Sequence, residues 1–102
     1  MKYKNNDYFE VLRKVNKNPS SNQRDLAKEL GFSLGKLNYC IKELKSKGLI
    51  KISNFKKNPK KLNYIYILTP KGMAKKTKLT IEFMRRKMRE YDELHNELKN
   101  KL

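Results

Sequence analysis

The spacing of apolar residues changes twice along the chain, and these changes limit the possible folds more than any other feature. Over residues 1–48 the apolar positions recur at helical intervals in three consecutive segments. Over residues 49–69 the spacing and the β-branched and aromatic content favour two short strands. Residues 70–102 then show one long helical pattern, with a proline at its start after a capping threonine. The sequence therefore predicts a mainly α protein with one small β-hairpin (α+β).

The first three helical segments each have a single apolar face, which is typical of helices packed around one core. The first is expected to end within residues 16–19. The second is predicted to start near Ser21 and Asn22, whose side chains can cap free N–H groups, and to stop at Gly31, while the third starts at Ser33. The predicted core positions are Tyr8, Val11, Leu12, Val15, Leu26, Ala27, Leu30, Leu34, Leu37, Ile41 and Leu44. A tight turn before the third helix and a hairpin after it predict a winged helix-turn-helix.

The charge of the chain is strongly unbalanced. Lys and Arg total 26 against 10 Asp and Glu, which gives a net charge of +16 and makes DNA, RNA or an anionic membrane surface the default partner. No apolar run approaches the roughly 20 residues of a membrane span, and the first residues show no signal peptide. The single cysteine excludes an internal disulfide and suits a reducing compartment. We therefore expect a cytoplasmic, nucleoid-associated protein with no membrane partner.

The third helix, about residues 33–47, is predicted to enter the major groove of double-stranded DNA. With its apolar stripe turned inward, it presents a glycine for close backbone approach, lysines for phosphates or guanine edges, and side chains for directional hydrogen bonds. Its first hydroxyl can cap the helix or bond a phosphate. The predicted contacts here and at the start of the second helix are Gln23, Arg24, Ser33, Gly35, Lys36, Asn38, Tyr39 and Lys42. The alternative is an ordinary solvated helix face.

The segment between the two predicted strands, residues 56–61, is rich in lysine. We expect it to form the tip of the hairpin and to act as a wing on the flanking backbone or minor groove. The predicted contacts are Lys56, Lys57, Asn58, Lys60 and Lys61. The alternative is a basic loop that keeps the strand edge soluble.

The C-terminal helix carries a heptad pattern, which predicts a homodimeric coiled coil. The seam follows alternating steps of four and three through Thr77, Ile81, Met84, Met88, Tyr91, His95, Leu98 and Leu102. Residues 70–89 hold eight Lys or Arg and one Glu, whereas residues 90–102 hold four Asp or Glu and two Lys. This favours antiparallel pairing, although Leu94 competes with His95 for the interior. The alternative is a helix that folds back on its own domain. The predicted division is a DNA-binding domain over 1–69 and a dimerisation helix over 70–102.

Little in the sequence points to catalysis or to a bound cofactor. Cys40 is expected on the flank of the third helix, where either a redox-sensing thiol or a small buried side chain is possible. His95 has no second metal ligand at helical or hairpin spacing. No nucleophile–base or carboxylate pair is evident. We expect no enzymatic activity, no cofactor and no metal.

The stretch SNQRDLAKELGFSLGKLNYCIKELKSKGLIKISNF, with NYIYILTPKG after it, resembles the winged-helix core of MarR-type bacterial transcriptional regulators. The runs LAKELGFSLGKLNYCIKEL and ILTPKG are most similar to a short subfamily associated with exopolysaccharide biosynthesis clusters. The resemblance implies a homodimer that binds operator DNA. The chain is shorter than ordinary members and lacks the residues of their ligand pocket, so no small-molecule ligand is expected. The alternatives are a non-specific architectural DNA-binding protein and, less favoured, an RNA-binding factor.

Overall fold

The computed structural model describes residues 2–18, 22–58 and 61–101, with side chains described outside 54–64. Within these residues, four helices and one antiparallel hairpin follow one another. In order they are α1 (Asn5–Lys17), α2 (Gln23–Leu30), α3 (Leu34–Ser46), β1 (Ile50–Asn58), β2 (Lys61–Leu68) and α4 (Pro70–Lys101). The predicted mainly α architecture with a small hairpin, a winged helix-turn-helix and a long C-terminal helix is confirmed.

Local hydrogen bonds define the helix-turn-helix. The side chain of Asn22 accepts the N–H of Asp25 at 2.8 Å and caps α2, and the hydroxyl of Ser33 accepts the N–H of Lys36 at 3.1 Å and caps α3. Gly31 ends α2 with a φ of 70°, a conformation that costs glycine little. The other predicted cap, Ser21, lies outside the described residues, as do positions 19 and 20 beyond the end of α1.

One core unites all the elements. Its buried side chains are Tyr8, Phe9, Val11, Leu12, Val15, Leu26, Ala27, Leu37, Cys40, Ile41, Leu44, Leu49, Ile50, Tyr66 and Leu79. Ten of the eleven predicted core positions are buried or half-buried against this core. The prediction for Leu34 is wrong, because this side chain is 45% exposed. At 100° per residue, Leu34 lies about 60° from Leu37 on one side and Cys40 about 60° on the other. Since Leu34 is also the first residue of α3, the core takes Cys40 instead, which corrects the predicted flank position of this cysteine.

The hairpin is longer than the sequence predicts. Its ladder begins with Ile50 opposite Leu68 and ends with Asn58 opposite Lys61, with an irregularity between Phe55 and Asn58. Most of the predicted tip therefore belongs to the strands. The correction has a simple reason, since the hydrogen-bonded pairing of two strands uses backbone groups and does not require apolar side chains.

The first turns of α4 pack on the rest of the fold, whereas its later turns do not. The hydroxyl of Thr69 accepts the N–H of Gly72 at 3.0 Å and donates to the carbonyl of Gly48. Leu79 is buried, and Phe83 is half-buried with its ring centroid 5.7 Å from that of Phe9 on α1. From residue 84 to 101 every side chain is exposed. The helix thus joins the core at one end and leaves it at the other.

Candidate nucleic-acid interface

The outer face of α3 carries one continuous exposed stripe. Gly35, Asn38 and Lys42 are exposed and follow one another at steps of three and four, so they lie on one side of the helix. A Cβ added at Gly35 would meet nothing within 4 Å. Packing within the chain therefore does not explain a glycine at this position. Gln23 and Arg24 lie in the first turn of α2, half-buried and exposed respectively.

Lys36 differs from its prediction, because its ammonium does not point simply outward. Its Nζ lies 3.3 Å from Oδ2 of Asp7 on α1. It also lies 4.0 Å from the ring centroid of Phe32 and 5.3 Å from that of Tyr3. The spacing of α3 alone could not reveal these partners, which come from α1, the turn and the N-terminal segment.

Tyr39 is half-buried because the N-terminal segment lies against it. Its ring meets that of Tyr3 edge-on, with centroids 5.3 Å apart and an interplanar angle of 77°. The ammonium of Lys2 lies 5.4 Å from the Tyr39 ring centroid. Sequence reasoning missed Lys2 and Tyr3 at this surface, although an aromatic residue between two lysines is a signal that could have drawn attention to them.

The hairpin begins directly after α3 and its base is fixed in the core through Leu49 and Ile50. Strand β1 includes Lys56, Lys57 and Asn58, and Lys61 is the first residue of β2. Pro59 and Lys60 lie outside the described residues, and the side chains of the other predicted wing residues lie outside the described side chains. The wing role of this segment stays a prediction.

The predicted seam of α4 forms an exposed apolar row. Ile81, Met84, Met88, Tyr91, Leu94 and Leu98 are 46–68% exposed. His95 is exposed too and stacks on Tyr91 with the ring planes 7° apart. Thr77 is exposed at the start of the row, and Leu102 lies outside the described residues. No other element covers this row within the part of the chain that the structure describes.

The buried thiol of Cys40 is a poor nucleophile in this environment. Burial raises the pKa of Cys40, and the charge of Asp7 raises it further, so the neutral thiol is favoured. Among residues 2–18, 22–58 and 61–101, no three His, Cys, Asp or Glu side chains are grouped to hold a metal ion. No helix of the described residues has the length and apolar character to cross a membrane.

Comparison with known protein families gives one match. Residues 9–51 match a family model described as winged helix-turn-helix DNA-binding. Among curated protein sequences there is no significant match.

Solved structures match a larger part of the chain than the family model does. Streptococcus pneumoniae FabT in complex with DNA is 18% identical over 90% of this chain and 62% of its own, with a TM-score of 0.64. A mutant of S. aureus MepR with one substitution, bound to an oligodeoxyribonucleotide, is 17% identical over 93% of this chain and 75% of its own, with a TM-score of 0.61.

A third structure carries the family name. Lactococcus lactis ZitR, a zinc-responsive MarR family member, is 18% identical over 92% of this chain, with a TM-score of 0.65. The chain spans 62% of both FabT and ZitR, less than two thirds of either. At such identities the likeness shows the fold, and this chain therefore has the winged helix-turn-helix fold that MarR-family regulators share.

Proposed function

We propose that the protein is a sequence-specific regulator of transcription of the MarR type, which binds double-stranded DNA as a homodimer and has no enzymatic activity. The observation that carries this proposal is the exposed stripe of Gly35, Asn38 and Lys42 on α3 of a winged fold with a net charge of +16. We also propose that it belongs to the short subfamily linked to exopolysaccharide clusters. The site of action is the nucleoid of the cytoplasm.

The chemistry of α3 suits a major groove. Gly35 leaves room for the helix backbone to approach the bases, and Asn38 supplies a donor and an acceptor in one side chain. Lys42 lies one turn further on and reaches a phosphate or a base edge. The wing segment 56–61 then contacts the flanking backbone or minor groove, where its lysines add affinity without direct sequence information.

Two of the similar structures support this assignment by what they contain. FabT is in complex with DNA, and MepR is bound to an oligodeoxyribonucleotide. Since this chain shares their fold across at least 90% of its length, DNA is the partner that we propose for it.

The exposed row of α4 supports a homodimer. Six large apolar side chains on one helix are costly to leave in water, and a second copy of the same row would bury them. Arg85, Arg86 and Arg89 line a cleft of about 390 Å³ beside Phe9 and have no acidic partner within 4.0 Å in the described part of the chain. In an antiparallel pair the acidic end of the partner helix, residues 90–97, comes alongside these arginines.

Cysteine cross-linking tests the direction of the pair. In a Cys40→Ala background, Met84→Cys together with His95→Cys is expected to form disulfides between chains, because the antiparallel seam brings these two positions together. Both positions are exposed, so the substitutions leave the core intact. Met84→Cys alone serves as the control. Efficient cross-linking through this single position would show parallel helices instead.

Competition binding tests the function itself. The first duplex is enriched by site selection from random DNA, and the second is a scrambled duplex of equal length and composition. At about 150 mM salt, we expect the selected duplex to bind the protein at least about 10³-fold more tightly than the scrambled one. Equal affinity for both duplexes would favour an architectural DNA-binding protein. Preference for duplex RNA, whose major groove is deep and narrow, would favour an RNA-binding factor.

A further inference from the structure

Asp7 is the acidic side chain that faces the start of α3. It lies in the first turn of α1, and its Oδ2 is 3.3 Å from the ammonium of Lys36. The two side chains are only 22% and 27% exposed. The ring of Phe32 lies against the same ammonium at 4.0 Å. One carboxylate and one aromatic face therefore restrict where the Lys36 ammonium can lie.

This restriction affects the one lysine that occupies the first turn of α3. A free lysine side chain loses rotamer freedom when it binds, and that loss weakens binding. The ammonium has three N–H donors, and its contact with the Asp7 carboxylate is an ion pair at 3.3 Å. Because its side chain keeps 27% of its surface exposed, Lys36 retains donors for a partner in front of α3 while its position is already fixed.

We propose that Asp7 is a positioning residue for Lys36, and that their ion pair persists when the protein binds DNA. This inference rests on the proposed function. Asp7 holds the lysine where its N–H donors meet a base edge, such as N7 and O6 of guanine. The same pair prevents Lys36 from reaching out to phosphates, because its charge is already balanced by the carboxylate. Asp7 thus raises the affinity for the correct site and lowers the affinity for other DNA.

Glu10 provides a matched control on the same helix. It pairs with Arg13 of α1 at 3.1 Å and lines a cleft with Lys76 of α4, whereas the ion pair of Lys36 is with Asp7. Asp7→Asn and Glu10→Gln remove the same charge from the protein. Any difference between them reports the loss of contact with Lys36 and not the change in net charge.

The experiment measures binding of the full chain to the selected duplex and to a scrambled duplex by fluorescence anisotropy, at several salt concentrations. For Asp7→Asn, we expect affinity for the selected duplex to fall by about 2- to 12-fold, the cost of ordering one long side chain. Affinity for the scrambled duplex should rise by up to about fivefold at 0.15 M salt, because the freed lysine gains one phosphate contact. For the same reason the salt slope, which is the slope of log affinity against log salt concentration, should steepen by about 0.9 on this duplex. Glu10→Gln should change the affinities for both duplexes in the same direction.

A second variant tests the inference without changing Asp7. Lys36→Ala should weaken binding to the selected duplex and leave the salt slope on the scrambled duplex unchanged. In this background, Asp7→Asn should have no more effect than Glu10→Gln. If the wild-type protein discriminates between the duplexes but Asp7→Asn moves both affinities the same way, or Lys36→Ala reduces the slope on scrambled DNA, the positioning role is wrong. If the wild-type protein does not discriminate at all, the proposed function itself fails.

Discussion

Gly72 lies in the first turn of α4, directly against the backbone of Leu49. A Cβ at this position would overlap the carbonyl oxygen of Leu49 and lie 2.9 Å from its carbonyl carbon. The same carbonyl accepts the N–H of Thr69 at 3.1 Å, and Thr69 caps α4 through the N–H of Gly72 at 3.0 Å. Gly72→Ala must therefore displace the start of α4 together with its cap.

The magnitude follows from three opposing contributions to the free energy of unfolding. Alanine is favoured over glycine inside a helix by about 1 kcal/mol. Overpacking against a rigid backbone costs about 1–3 kcal/mol, and loss of the cap costs about 1 kcal/mol. We expect Gly72→Ala to destabilise the protein by about 1–3 kcal/mol, measured by urea denaturation.

The same substitution at Gly35 is the control, and its expected sign is opposite. Gly35 lies inside α3, and a Cβ there would meet nothing within 4 Å. Gly35→Ala should therefore stabilise the protein by up to about 1 kcal/mol. It should also weaken binding to the selected duplex, because the added methyl group separates the helix backbone from the bases. If both variants are stabilised equally, the close contact of Gly72 with Leu49 does not exist in solution.

Three further predictions concern single features of the molecule. Replacing all four lysines of the wing segment 56–61 by glutamine should weaken binding to every duplex and reduce the salt slope by about 0.9 for each lost phosphate contact, whereas an unchanged slope would exclude a wing. Tyr39→Ala should cost about 1–3 kcal/mol on the selected duplex and less on the scrambled one, and equal losses would remove Tyr39 from the base-reading set. Burial raises the pKa of Cys40, so above about pH 8.5 the unfolded chain loses the thiol proton before the folded protein does. The free energy of unfolding should therefore decline with rising pH in this range, and Cys40→Ala should remove that part of the decline. Identical dependence of stability on pH in the two proteins would contradict this.

The sequence predicted the elements of the fold well because local signals decide them. Apolar spacing, the caps at Asn22 and Ser33, and Gly31 all act within a few residues, and each is found as predicted. Leu34 shows the limit of such reasoning. Periodicity alone places it on the core face, but whether a residue at the edge of that face is covered depends on where the neighbouring elements end.

The candidate site was less predictable because its environment comes from distant parts of the chain. Lys36 and Tyr39 were found from the outer face of α3, yet their contacts with Asp7 and Tyr3 depend on how α1 crosses α3. Gly72 is a similar case, since in the sequence it is only a weak helix former. The contact with Leu49 arises when the chain returns from the hairpin. The roles of the DNA-contacting and dimerisation residues stay predictions.

The last prediction concerns where α4 stops contributing to stability. Leu79 is part of the core, and Phe83 packs beside Phe9, although both follow the predicted boundary at residue 70. Truncating one core leucine to alanine costs about 2–5 kcal/mol, a large share of the roughly 5–15 kcal/mol that stabilises a typical domain. A chain that ends at residue 87 keeps both contacts but loses most of the exposed apolar row, so we expect a folded monomer. A chain that ends at residue 72 loses both contacts and should melt at a much lower temperature or not fold. Circular dichroism and light scattering separate these outcomes. Equal melting temperatures for the two chains would show that α4 serves dimerisation alone.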